Sequence, residues 1–119
     1  MNEFKTFLRG FVYAGKGIKV SIREQRNLKV QGVIALTTVG AGFYFAIAPA
    51  EWCMVLLTIA LVMGLEMMNS AVEGLVDIVS PDYRALAGKV KDIAAGAVLF
   101  AAILAVIIGV LIFRKYIML

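Results

Sequence analysis

Histidine is absent from this sequence, cysteine occurs once, and only 17% of the residues are charged. Without histidine there is no imidazole base, and no Cys/His metal site or Ser–His or Cys–His nucleophile pair can form. The lone Cys53 leaves no disulfide within one chain. Its place beside Trp52, at the start of an apolar run, reads as a small packing residue. Any general base is therefore a carboxylate or, failing that, a lysine or tyrosine. The shortage of charge excludes more. Soluble domains carry about 25% charged and roughly 45–50% apolar residues, whereas 62% of these 119 residues are hydrophobic and the mean hydropathy is +0.93. An ordinary soluble domain is excluded, and so is disorder. A single-domain integral membrane protein remains.

The net charge of +4 could suggest nucleic acid, but its distribution does not, and no nucleic-acid partner is expected. Of twelve Lys and Arg, seven precede residue 30: Lys5, Arg9, Lys16, Lys19, Arg23, Arg26 and Lys29. Arg84, Lys89 and Lys91 follow in a later polar segment, and Arg114 and Lys115 close the chain. Basic residues clustered beside membrane segments act as orientation signals and anionic-lipid contacts.

Residues 1–29 hold no long apolar run and no small-residue cleavage pattern, so a secretory signal is not expected there. Phe4, Phe7, Leu8, Phe11, Ile18 and Ile22 share one face at about 100° per residue, with basic residues alongside. That pattern predicts an amphipathic helix on the membrane surface, packed on the protein's own bundle, or both. The expected fold is thus all-α integral membrane: the surface helix over 1–29 and three transmembrane helices at 30–48, 52–79 and 93–113. A Pro49-Ala50-Glu51 turn joins the first two spans, and a loop at 80–92 joins the second to the third. The basic bias puts the N-terminus and the 80–92 loop in the cytoplasm of a cell with a cytoplasmic membrane. Ala97, Ala101, Ala105 and Gly109 repeat every four residues, which suits either a subunit interface or close packing within one chain.

The second span carries the informative residues. Glu66, Asn69, Glu73 and Asp77 fall within about 80° of one helix face. Each carboxylate there costs roughly 2.5–3.5 kcal/mol at the bilayer centre, so the stripe is a functional candidate. Its depth narrows the function. Trp52 to Val79 makes a helix of about 42 Å against a hydrocarbon core of ~30 Å. With Trp52 at the outer interface, Glu66 sits just inside the cytoplasmic boundary and Glu73 and Asp77 just outside it. A boundary position favours chemistry between a lipid headgroup and a water-soluble cosubstrate over a midplane transport site. Close carboxylates also suit Mg²⁺ shared with nucleotide phosphates, and Lys89, Lys91 and Asp92 could complete such a site. The run Gly10 to Gly17 imitates a phosphate-binding loop, G-x-x-x-x-G-K-[ST]. It lacks the final hydroxyl and follows predicted helix rather than a strand, so it is set aside.

At these residues the chain resembles the prokaryotic diacylglycerol kinase family, membrane lipid kinases that include the undecaprenol kinases. Glu66-Met67-Met68-Asn69-Ser70-Ala71-Val72-Glu73 with Asp77 follows the family's E-x-x-N-[ST]-A-[IV]-E-x-x-x-D. Lys91-Asp92-Ile93-Ala94-Ala95-Gly96-Ala97-Val98 follows its K-D-x-x-x-[AG]-A-V. The resemblance implies a homotrimer with sites shared between subunits, moving the ATP γ-phosphoryl group to a lipid hydroxyl with Mg²⁺. By position it implies Glu66 as general base, Asn69 as the group that orients the reacting centre, and Glu73 as a Mg²⁺ and nucleotide-phosphate ligand. Asp77 would support the polar network. Tyr13, Lys16, Asp82, Tyr83, Arg84, Lys91 and Asp92 would contact the nucleotide. One departure stands out: Gln25 occupies the family's N-terminal metal-binding glutamate position, with Glu24 as the neighbouring candidate ligand. Gln31 replaces a histidine common in the undecaprenol kinases.

The expected function is therefore an ATP- and Mg²⁺-dependent lipid kinase feeding phospholipid or lipid-carrier metabolism. Ala14-Gly15-Lys16-Gly17-Ile18 leans toward undecaprenol, with diacylglycerol as the other candidate substrate. A small oligomeric ion or proton transporter using the acidic stripe is the alternative from another class. A non-enzymatic membrane scaffold is a third.

Overall fold

The computed structural model describes residues 2–118 as four helices: α1 (Glu3–Glu24), α2 (Arg26–Phe45), α3 (Pro49–Val79) and α4 (Ala85–Ile117). Each boundary has a local cause. Asn2 caps α1 by accepting the Phe4 N–H at 2.9 Å, and Glu3 adds a negative charge at the positive helix end. Gln25 leaves helical geometry (φ −95°, ψ 109°), which separates α1 from α2. The surface segment expected over 1–29 therefore ends at Glu24, and residues 26–29 begin α2. No proline or glycine forces that joint; the basic, polar Arg26-Asn27 pair starts the next helix there.

α2 ends where Ala46 turns left-handed (φ 51°, ψ 57°) and Ile47 N–H returns to the Gly42 carbonyl at 3.1 Å. The turn expected at Pro49-Ala50-Glu51 is instead the first turn of α3. Proline suits that position because its missing N–H would be unpaired anyway. Glu51 reaches back to accept the Ala48 N–H at 2.9 Å. Ser80 and Pro81 end α3. The connection to α4 covers only residues 80–84, since 85–92 are already helical. The polar residues there are compatible with helix, and the loss of hydrophobicity marks the end of the apolar run rather than of the helix.

α3 is the centre of the fold. α4 packs along it most extensively and α2 less so, and α2 meets α4 through Phe45 against Phe113 and Tyr116. Three of the buried apolar residues, Ile47, Val55 and Ile112, gather where the α2–α3 turn meets the end of α4. Phe45, Trp52, Phe113 and Tyr116 pack around them. Gly42 is needed there, because a Cβ would lie 2.7 Å from the Trp52 ring. At the same end the buried Glu51 carboxylate accepts the Tyr116 hydroxyl at 2.6 Å and pairs with Lys115 at 2.5 Å, tying α4 to α3. Elsewhere the outside of the molecule is apolar: Leu36, Phe43 and Leu57 are each more than 70% exposed. Three of the helices, α2, α3 and α4, are long and apolar enough to cross a membrane, and only a hydrocarbon solvent or further protein makes such an exterior favourable.

Candidate active site

The acidic stripe lies on the half of α3 away from that aromatic end. Glu66 is 3% and Asn69 9% exposed, so both are withdrawn from solvent within a single chain. Three residues apart on one helix, they face each other across the turn, and Asn69 Nδ2 donates to Glu66 Oε2 at a long 3.5 Å. Asn69 Oδ1 is buried with no partner. A buried carboxylate with one weak donor and a buried amide oxygen with none leave bonding capacity open for a ligand.

One and two turns further on, Glu73 and Asp77 are exposed. Lys91, in the second turn of α4, donates to Asp77 Oδ1 at 2.6 Å and links the two helix ends. Asp92 follows it, exposed. The connecting segment is equally open: Tyr83 is 91% exposed, and the Ser80 hydroxyl donates to the Asp82 carbonyl at 3.0 Å. Arg84 precedes α4 in extended conformation.

On α1, Lys16 stands 5.7 Å from the centre of the Tyr13 ring, which places the two candidates together. The Gly10–Gly17 run is helical throughout, so it forms no phosphate loop. Among the described residues, no hydrogen bond or ion pair joins Tyr13, Lys16 or Glu24 to the α3 stripe. The structure thus brings together Glu66 with Asn69 and Asp77 with Lys91, while α1 touches α3. The α1–α2 joint falls between Glu24 and Arg26, so a regular 100° step does not carry across it; Glu24 is exposed and Gln25 half-buried.

Comparison with known proteins gives these positions a context. The description "Prokaryotic diacylglycerol kinase" fits a match over residues 12–113, which takes in every candidate site residue. The chain belongs to that family. It is 38% identical to the undecaprenol kinase of Bacillus subtilis strain 168 over 112 residues, 94% of this chain and 91% of that one. It is 43% identical to the diacylglycerol kinase of Synechocystis over 103 residues, 86% of this chain but 59% of that longer protein. With the diacylglycerol kinase of Escherichia coli K12 it shares 30% over 104 residues, covering 87% and 85% of the two chains.

A family of kinases implies ATP as cosubstrate; a divalent metal beside it is an expectation of the sequence. The donor set here is oxygen only, from carboxylates and amides, which fits Mg²⁺ and disfavours softer metals. Among the described residues no three acidic or thiol groups converge on one point. One chain therefore offers a partial set, in keeping with Mg²⁺ held by one or two carboxylates plus substrate phosphates. Two residues to which sequence reasoning gave no role stand out in the structure. Glu51, read there only as part of a turn, is buried and bonded to three partners, and Gln31, read there only as a departure from the family, has a buried and unpaired Oε1.

Proposed function

We propose that this protein is an ATP- and Mg²⁺-dependent lipid kinase of the cytoplasmic membrane, acting on undecaprenol or diacylglycerol from the cytoplasmic side. The observation that carries the reading is the buried Glu66–Asn69 pair on an apolar helix, in a chain that belongs to a lipid kinase family. The lipid hydroxyl oxygen attacks the γ-phosphorus of ATP, its proton passes to Glu66, and the bond to the β–γ bridging oxygen breaks to release ADP. Asn69, with its free amide oxygen, orients the acceptor. Glu73 would hold the metal, with Glu24 or the Gln25 amide as a second protein ligand. Bound Mg²⁺ would supply charge neutralisation on the phosphate oxygens.

Lys91 and Asp92 contact the nucleotide, with Asp77 setting the position of Lys91. Tyr13, Lys16 and the Asp82–Arg84 segment complete the nucleotide side. The apolar face of α1 lies on the membrane surface with the N-terminus in the cytoplasm. As the family resemblance implies, the working unit is a homotrimer in which neighbouring chains complete each site.

The test is transfer of label from γ-labelled ATP into extractable lipid by purified protein in vesicles containing both candidate lipids. The reading expects phosphorylated lipid that vanishes when Mg²⁺ is chelated. Folded protein that labels neither lipid would overturn it.

A further inference from the structure

α1 carries its charges unevenly around its axis. Phe4, Phe7, Phe11 and Ile18 are exposed and lie within about 60° of one another. Lys5, Arg9, Lys16, Lys19 and Arg23 share one flank about 80° wide, centred roughly 130° round from that apolar face, and Glu3 and Glu24 stand outside it. All five basic residues are exposed. Among the described residues, no ion pair joins Lys5, Lys19 or Arg23 to a carboxylate. With the apolar face on the lipid, the centre of that flank points into water above the headgroups. It runs for about 27 Å at 1.5 Å per residue, on a helix that touches α3. The site beside it is acidic: Glu73, Asp77, Asp82 and Asp92 are all exposed around the connection from α3 to α4.

We infer that Lys5, Lys19 and Arg23 guide MgATP electrostatically to the site without touching the bound nucleotide. The inference rests on the lipid kinase reading and explains how its soluble substrate gathers at a surface that repels it. A cytoplasmic leaflet holds a surface potential of about −30 mV, enough to deplete a dianion about tenfold. The exposed carboxylates of the site repel the same dianion. Fixed cations at that surface offset both and raise the encounter rate. Screening over about 8 Å at physiological salt confines the effect to charges lying at the surface itself. Arg114 and Lys115, about 35 Å along α4 from Lys91, lie outside that range. Headgroup binding is the competing use of such a flank. A helix serving headgroups alone would carry cations on both sides of its apolar face, whereas here the other side holds Glu3, Ser21 and Glu24.

The experiment measures kcat and KM for MgATP with both candidate lipids supplied, in vesicles of phosphatidylcholine alone or with about 30% phosphatidylglycerol to set the surface potential. Wild type should give KM values within about twofold of each other in the two vesicles. The triple variant Lys5→Gln, Lys19→Gln, Arg23→Gln should match wild type in phosphatidylcholine. In the anionic vesicles its KM for MgATP should rise about fivefold with kcat within about twofold, and high KCl should abolish the rise. Lys19→Glu alone should shift KM the same way, which guards against a triple variant that fails to fold. An unchanged KM in anionic vesicles would overturn the inference. So would an equal rise in both vesicles, which would make these residues direct nucleotide contacts, or a fall in kcat alone, which would give the flank to headgroups. Absence of phosphorylated lipid from wild type in both vesicles would instead overturn the kinase reading itself.

Discussion

At the scale of single residues, the site divides by exposure. Glu66 and Asn69 are buried in one chain, whereas Glu73, Asp77 and Asp92 are open, a division that suits a proton acceptor kept from water beside groups that meet a soluble nucleotide. The Asp77–Lys91 pair is short, but its side chains are 66% and 38% exposed, and exposed ion pairs contribute only about 0–1 kcal/mol. Lys91→Met should therefore leave the melting temperature in detergent within a few degrees while raising the KM for ATP about tenfold or more. A large loss of stability with unchanged KM would reassign Lys91 to a structural role. Glu66, Glu73 and Asp77 stood out in the sequence because a carboxylate is conspicuous among leucines and methionines, and Asn69 because it shares their helix face. Gln31 was not, since only the tertiary arrangement shows that its amide oxygen has no partner.

At the scale of elements, α3 organises the chain and its two ends differ. The end bearing the α2–α3 turn is well packed, with Ile47, Val55 and Ile112 buried and the Glu51 carboxylate taking donors from Ala48, Lys115 and Tyr116. Hydrogen bonds to charged groups contribute about 1.5–3 kcal/mol, so Glu51→Gln should lower stability by roughly 1–3 kcal/mol, read as earlier unfolding in denaturant, with lipid and ATP KM values unchanged. A fall in KM or kcat without loss of stability would show that this cluster reports to the site. Two glycines give a sharper contrast. Gly42→Ala drives a Cβ against Trp52 and should cost about 1–3 kcal/mol, whereas Gly109→Ala meets open space and should be near neutral. Equal melting temperatures for the two variants would contradict the packing described. The apolar runs announced three of the helices, but the limits of hydrophobicity were not the limits of helix. Residues 26–29 and 85–92 carry the charges of Arg26, Lys29, Lys89, Lys91 and Asp92 and are helical, because membrane helices continue into water wherever capping and backbone bonding allow it. The small-residue row on α4 divides in the same way: Ala101 is buried against the bundle, Ala105 and Gly109 line a groove between α2 and α4, and Ala97 is exposed.

At the scale of the whole molecule, the chain is a slab of 55 × 45 × 21 Å with an apolar exterior. The predicted orientation puts Trp52 and Cys53 at the outer surface and the carboxylate stripe at the cytoplasmic one. Cys53, the only cysteine and an exposed one, makes this testable. A membrane-impermeant maleimide should label it on intact cells, and labelling only after permeabilisation would invert the topology. Oligomer number is an expectation of the family resemblance alone, because one chain does not show how many copies complete a site. The central claim is that Glu66 takes the proton from a lipid hydroxyl as the γ-phosphoryl group moves. It is tested most directly by single-turnover transfer from γ-labelled ATP to lipid, comparing wild type with Glu66→Gln and measuring nucleotide binding in parallel. The account predicts intact nucleotide binding and a transfer rate lowered about 10²–10⁴-fold; transfer by Glu66→Gln at the wild-type rate would contradict it.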